Sequence, residues 1–420
     1  MARTLTPQDC HVLMNLLVAE ATGQDATIQT VDSSTFVSAG ETVLATGVEN
    51  TLNTLALVLG RTFMAVRPYK AKMRIVDALN TGAYTSRMRK ISFYSREAQA
   101  SGDWNTQLYS ENLYMGEDNG EHGSPAASTK SMWVQNQPVV LEVNFGGQSV
   151  WEDSTTIYED QLAKAFRSEA EFADFVGGIM TEKGNDIESQ KEAFNRMGVL
   201  NHIAGVLDLA SDMPGSAINM TAAYNARFLT SYTTQQLLTT YLDSFLKFFV
   251  ATFKLVSDYM TERSAKYHWS PAKTVAGQSY TLLRHTPKDK QKAVLYGPFF
   301  KEAEAIVLPE IFNPQYLSLD NYESVTYWQN INDPAAIDVT PAIPDTSTGI
   351  ITAGANVSES YILGMIFDED ALMVDYQLEA ANTTPLEARK RYRNLWWSFS
   401  RNYLADFTEN AVVFYMNDNP

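Results

Sequence analysis

Cysteine is almost missing from this 420-residue chain, where Cys10 stands alone. A single thiol closes no intramolecular disulfide and builds no zinc site from paired cysteines, which points to synthesis in a reducing, cytoplasmic compartment. Histidine is sparse: His11, His122, His202, His268 and His285 are scattered along the chain. Nothing in their spacing predicts a metal or catalytic cluster, so they read as surface or satisfied core residues. Basic charge is short as well, with 32 Lys and Arg against 49 Asp and Glu and a formal net charge of -17. Proteins whose main task is gripping phosphates carry a basic face, and this chain has the opposite excess. An unbroken apolar run is also lacking. The most apolar window, Leu237 to Met260, is interrupted by Asp243, Lys247, Lys254 and Asp258, and so reads as a buried helix with its own lobe. Met1 to Pro7 has one Arg and no apolar stretch of signal-peptide length.

Enzyme signatures are equally scarce. There is no Gly-rich phosphate loop ending in Lys-Ser/Thr, no dinucleotide glycine pattern, no His-Glu-x-x-His and no Gly-x-Ser-x-Gly elbow. Acidic pairs exist at Glu152-Asp153, Glu159-Asp160 and Asp368-Glu369-Asp370, and seven Trp could stack on sugars. In an acidic chain these read first as turns and strand ends, and Trp396-Trp397 as packing. The run Arg389-Lys390-Arg391-Tyr392-Arg393 interleaves cations with an aromatic. Read as a strand, it sends half its charges each way, to a subunit interface or a solvated edge. Asn219-Met220-Thr221 matches a glycosylation sequon without a signal peptide to give it meaning. The sequence therefore assigns no catalytic, cofactor-binding or metal residue and no cofactor.

What is present is order. Hydrophobic residues make up 45% and charged residues 19%, a ratio that fits a large ordered core. Thr6 and Pro7 can open a first helix with a Leu13, Leu16, Leu17 stripe, ending at Gly23. Gln24 to Gly47 reads as polar and irregular, and Asn50 to Met64 as a second helix. Arg87 to Glu97 and Met132 to Phe145 alternate like strands, around a Gly- and Asn-rich tip at Met115 to Ser128. An isolated hairpin is unstable in water, so its apolar face is expected on another subunit. Ser168 and Glu171 form a capping box for a long helix with Phe172, Phe175, Val176, Ile179, Met180, Ile187, Phe194, Met197 and Ile203 on its stripe. Gly177, Gly178 and Gly184 inside it predict a bend or a close neighbour. Asp333 to Thr348, with Pro334, Pro341 and Pro344, reads as a loop. Strand-like runs follow at Tyr361 to Phe367, Ala371 to Tyr376, Arg389 to Tyr403 and Ala411 to Met416, with Leu395, Trp397, Phe399 and Tyr403 sharing a face with Arg391, Arg393 and Arg401.

That order of segments resembles the major capsid proteins of tailed bacteriophages, which have the α+β Hong Kong-97-type fold of N-arm, E-loop, P-domain with spine helix, and A-domain. The local wording is most similar to capsid proteins of phi-29-like podoviruses and gut phages. It rests on Val48-Glu49-Asn50-Thr51-Leu52, Val143-Asn144-Phe145 through Asp153, Phe166-Arg167-Ser168-Glu169 into Phe175-Val176, Ile366 through Val374, and Asn410-Ala411-Val412-Val413-Phe414. The resemblance implies an arm and following helix at 1–65, an E-loop region at 66–150, a P-domain with spine helix at 151–205, an A-domain at 206–360 and return strands at 361–420. It implies a non-enzymatic shell subunit that assembles as hexamers and pentamers around double-stranded DNA in the virion. Implied partners are identical subunits, a scaffold protein and a portal, with no membrane and no sequence-specific DNA contact. The rival readings are a carbohydrate- or receptor-binding virion protein and an acidic carbohydrate-active enzyme.

Overall fold

The apolar period that starts near residue 168 folds as one helix, Glu169–Asp208, of 40 residues. At ~1.5 Å per residue it is about 60 Å long. The computed structural model describes residues 12, 14–16, 18–19, 33–45, 76–79, 87–95, 138–146, 149–158, 169–271, 273–275, 278–306, 322–344 and 350–418. The capping box, the Phe172 to Met180 stripe, the 50–64 helix and the Gly- and Asn-rich tip lie outside the described residues or side chains.

The strands are β1 Asp77–Leu79, β2 Arg87–Phe93, β3 Val140–Gly146, β4 Ser149–Tyr158, β5 Ala217–Asn219, β6 Lys273–Val275, β7 Gln278–Tyr280, β8 Gln291–Tyr296 and β9 Tyr322–Val325. After them come β10 Ile337–Val339, β11 Ala342–Pro344, β12 Ile351–Ala353, β13 Val357–Glu359, β14 Ile362–Asp368, β15 Leu372–Thr383, β16 Tyr392–Ala405 and β17 Ala411–Tyr415. One four-stranded sheet runs β1-β15-β16-β4, a five-stranded sheet runs β5-β17-β14-β8-β9, and β2-β3, β6-β7, β10-β13 and β11-β12 pair separately.

The long helix, here called the spine, crosses the four-stranded sheet along β16. Lys183 Nζ reaches Asp153 at 2.8 Å and lies 5.8 Å over the Trp397 ring. Further along, Phe194 meets Tyr403 edge-on at 5.8 Å, and Gly198 faces Leu372 and Tyr403. On β16, Arg393, Leu395, Trp397, Phe399 and Arg401 are buried as the shared-face reading expects, and period two produces it. Arg391 departs from that reading: it precedes the strand, in a turn, at φ 54°.

From Gly198 to Val206 every spine residue is buried, because the helix there is enclosed on all sides. Asn201 makes two hydrogen bonds to Ala342, donating to its carbonyl at 3.3 Å and accepting its N–H at 2.7 Å. Asp208 accepts from Ala355 N at 3.1 Å. These bonds seat the small β10 to β13 lobe on the spine. The expected loop at 333–348 therefore contains two strands, since Pro341 lies before β11 and Pro344 at its last position, where a proline does not interrupt pairing.

The five-stranded sheet is centred on β14, all of whose residues are buried. A helix, Leu242–Thr261, covers it, with Phe249 and Phe253 against Phe414 at 5.6 and 5.4 Å. This helix starts at Leu242 rather than Leu237, since Thr234–Leu238 forms its own short helix behind a Thr233/Gln236 capping box. It is buried along one stripe, not on most sides, and Leu255 and Tyr259 are half exposed.

Three further expectations change. Ser33–Ala45 is a helix rather than irregular, and it packs on the spine through an otherwise unremarked stripe of Phe36, Ala39 and Val43. In the first helix Met14 and Val18 are buried while Leu16 is half exposed, so the face turned inward is the neighbouring one. On the spine, Met197 is 42% exposed at a cleft rim rather than in the core.

The spine glycines divide by what surrounds them. The helix runs unbroken through Gly177, Gly178 and Gly184, and a Cβ on Gly178 would meet nothing. Gly205, which the periodicity did not single out, is pressed by the Phe407 ring and by Ile343. Gly205→Ala should cost about 1–3 kcal/mol by overpacking, whereas Gly178→Ala should be neutral or add up to about 1 kcal/mol of helix propensity. Urea unfolding of the two variants checks this; a neutral Gly205→Ala would show that Phe407 yields freely.

Candidate assembly surface

β2 and β3 pair antiparallel with Lys90 opposite Val143 and Phe93 opposite Val140. Alternation then sorts the side chains of β2 and the residues after it. Lys90, Ser92 and Tyr94 point toward the body, and Ile91 and Phe93 point away. Inward, the Lys90 ammonium sits 2.6 Å from both Asp406 and Glu409. Glu409 also meets Arg284 at 3.1 Å, and Arg284 donates to Ser92 Oγ at 2.6 Å. Tyr94 Oη donates to Pro271 O at 3.0 Å, and Ser95 N donates to Thr281 O at 2.9 Å. The base of the hairpin is thus clamped to its own chain through its polar face, and the expectation of a neighbouring subunit concerns the apolar face that remains.

Burial acts to lower the Lys90 pKa, but the charges of Asp406 and Glu409 overcome it and hold it above the ordinary lysine value. Burial pushes the Glu409 carboxyl up, against the pull of Lys90 and Arg284. The two shifts oppose each other as evidence of pairing. The 2.6 Å contacts put both carboxyl groups within charge-assisted hydrogen-bond distance of the ammonium.

Outward, the hairpin leaves Ile91 48%, Phe93 66% and Val140 39% exposed. β4 has β16 as its partner in the four-stranded sheet and forms that sheet's edge among the described residues, with Val150 67%, Trp151 45% and Tyr158 45% exposed. Exposed apolar residues gathered on a hairpin and a long sheet edge mark an interaction surface.

The other residues that drew attention in the sequence go elsewhere. Asp153 is held by Lys183, Glu369 by Lys290, and Asp368 accepts Thr286 Oγ1 at 2.6 Å while burial raises its pKa. Glu159 and Asp160 lie outside the described residues, as do Cys10, His11 and His122. Trp397 is buried under Lys183. Asn219 caps a helix, accepting from Thr221 N at 3.1 Å and Ala222 N at 3.3 Å. His268 is buried and bonded to Leu282 O at 2.9 Å, with its pKa lowered by burial. Among the described residues no group of three or more His, Cys, Asp or Glu is placed to hold a metal ion. No helix among them is long and apolar enough to cross a membrane. A cleft of about 750 Å³ between the spine and residues 327–342 is bridged by Arg196, which bonds Glu192 and stacks on Tyr327.

The segment that sequence reasoning missed is Asp406 to Asn410, which joins β16 to β17. Phe407 stacks on His202 of the spine at 4.8 Å, Asp406 and Glu409 hold the hairpin, and Asn410 bonds Thr286 at 3.1 Å. These side-chain partners lie more than a hundred residues away in sequence, so no periodicity could announce them.

The spine helix is thus laid on a sheet of long strands, with a hairpin clamped beside it and a second sheet under its own helical cover. The chain belongs to the Phi29-like phage major capsid protein family, whose model matches residues 101–415. Its structure is similar to the capsid structure of Staphylococcus phage Andhra, at 10% identity over 83% of this chain and 85% of that chain, TM-score 0.47. It is also similar to the capsid structure of cyanophage P-SCSP1u, at 11% identity over 82% and 86%, TM-score 0.41. The mature capsid of bacteriophage PhiM1 matches at 8% identity over 84% and 89%, TM-score 0.40. No curated protein matches the chain. It is a virion structural protein whose function is to form the capsid shell.

His202 supplies a pH test of this joint. It is fully buried, neither ring nitrogen has a hydrogen-bond partner, and burial lowers its pKa from 6.5 to about 4, with nearby Asp406 opposing. A depressed folded pKa means that stability present above pH 6.5 is lost as pH falls toward 4, on the order of ~3 kcal/mol. His202→Phe should keep the stacking on Phe407 and remove that loss. Urea midpoints at pH 7 and 4.5 should fall less for the variant than for the native chain, and equal falls would contradict the assignment.

Proposed function

We propose that many copies of this chain close an icosahedral shell of hexamers and pentamers around double-stranded DNA, with the hairpin as a principal contact. One observation carries this: the inner face of the hairpin is tied to its own subunit, while Ile91, Phe93 and Val140 face outward and stay partly exposed. A folded subunit gains from covering such residues, at roughly 1.5–3 kcal/mol per large side chain, and a shell repeats the gain at every neighbour. The proposal includes the division into arm (1–65), E-loop region (66–150), P-domain (151–205), A-domain (206–360) and return strands (361–420). A scaffold protein and a portal act during assembly in the host bacterial cytoplasm. The net charge of -17 suits a wall that encloses DNA without gripping its sequence. The chain performs no chemistry and uses no cofactor.

Ile91→Glu with Phe93→Glu should leave the subunit folded, because both side chains are exposed, and should abolish shells in electron micrographs. Shells of normal size from the double variant would overturn the proposed contact.

A further inference from the structure

The two segments on which the hairpin rests, 264–271 and 281–286, enclose a buried ring that the shell reading does not use. His268 is fully buried, and both of its ring nitrogens face backbone carbonyls. Nε2 is 2.9 Å from Leu282 O, while Nδ1 is 2.9 Å from Lys266 O and 3.2 Å from Asn410 Oδ1. A carbonyl oxygen only accepts, so each contact needs a proton on the ring. The Asn410 amide is not free to turn and supply one. Thr286 Oγ1 gives its single proton to Asp368 Oδ2 at 2.6 Å and accepts from Asn410 Nδ2 at 3.1 Å, which leaves the amide oxygen facing the ring. A neutral imidazole carries one N–H, and this geometry calls for two.

Both carbonyls belong to the segments that hold the hairpin. Thr281, next to Leu282, accepts Ser95 N at 2.9 Å, and Arg284 donates to Ser92 Oγ at 2.6 Å. On the other segment Pro271 O accepts Tyr94 Oη at 3.0 Å, and Ser264 exchanges two backbone hydrogen bonds of 3.0 Å with Arg284. The titratable groups around the ring are engaged elsewhere or turned outward. Arg284 meets Glu409, Lys90 holds Asp406, and Tyr267 packs on Gly215. Asp368 reaches the ring through Thr286 and Asn410, and the Lys266 and His285 side chains are exposed.

We infer that His268 is an acid-set latch on the seat of the hairpin: with two protons it ties Lys266, Leu282 and Asn410 together, and with one it releases Leu282 O or Lys266 O. Burial and the Arg284 charge hold its pKa below the ordinary 6.5, against the pull of the three oxygens, so the latch closes in mild acid. Charging a ring whose pKa is depressed costs the whole fold stability as pH falls through that value. The seat itself tightens, because the closed contacts bind the second proton better than the open ones, and the coupling is reciprocal. His202, whose nitrogens have no hydrogen-bond partner, charges without closing any contact.

The test uses the full chain with nitrogen-15-labelled histidine, titrated by NMR between about pH 7.5 and 5. Hydrogen exchange of peptides covering 87–95 and 281–286 is measured at both ends and corrected for the intrinsic rate. Both His268 nitrogens should become protonated while the chain stays folded. The hairpin-base amides should gain about fivefold protection, as one hydrogen bond contributes. His268→Gln, whose donors and acceptor do not titrate, should abolish that gain. Asn410→Asp, which turns a carboxylate to the ring, should raise the pH of closure by about 1–3 units. A ring that stays singly protonated until the chain unfolds overturns the inference. So does protonation without a change in hairpin protection, or an equal gain in His268→Gln. Should His268→Gln fail to fold, Asn410→Asp decides, and closure at an unmoved pH overturns the latch.

Discussion

Five residues, Asp406 to Asn410, hold the two halves of this subunit in register. They form the link between β16 of one sheet and β17 of the other, and their side chains and carbonyls reach in every direction. Phe407 fills the space left by Gly205 and stacks on His202, which fixes the spine against the link. Trp269 N donates to Phe407 O at 2.7 Å and Arg284 Nε to Thr408 O at 2.9 Å, which fixes the segment after the long core helix. Asp406 and Glu409 together hold Lys90. Were the link displaced, the hairpin, the spine and the five-stranded sheet would lose their common reference, because each contacts it directly.

For a shell subunit this arrangement has a mechanical consequence. If copies meet at the outer face of the hairpin as proposed, the inner face delivers any force to Asp406 and Glu409. From there it passes to the spine through Phe407 and to the second sheet through Asn410. Small relative shifts at the joint therefore couple to the angle at which the hairpin leaves the body. Packed interiors resist such shifts, since they respond to misfit at the scale of a methylene group.

Much of this architecture was legible in the sequence, where local periodicity was strong. β14 and β17 follow their apolar runs within a residue, β16 starts three residues after the expected Arg389, and the spine follows its 3.6-residue period. Other elements were hidden for physical reasons. The 33–45 helix buries Phe36, Ala39 and Val43, a stripe too small and too diluted by Ser and Thr to stand out. The 337–344 strands are short and flanked by proline, and they exist because the spine offers Asn201 as a hydrogen-bonding partner. Three glycines drew notice by their number, and Gly178 among them has open space around it, whereas Gly205, which did not stand out, is pressed by a partner about two hundred residues away. The candidate surface was half legible. The hairpin was expected, but its clamp was not, because Lys90, Asp406 and Glu409 meet only through tertiary structure.

The measurement closest to the central claim is a cryo-electron microscopy reconstruction of particles assembled from the native chain. The account expects Ile91, Phe93 and Val140 to be covered by a neighbouring copy while Lys90 remains within ion-pair distance of Asp406 and Glu409 in the same subunit. A reconstruction in which those three side chains face solvent, or in which Lys90 has left the joint while the shell holds together, would contradict it.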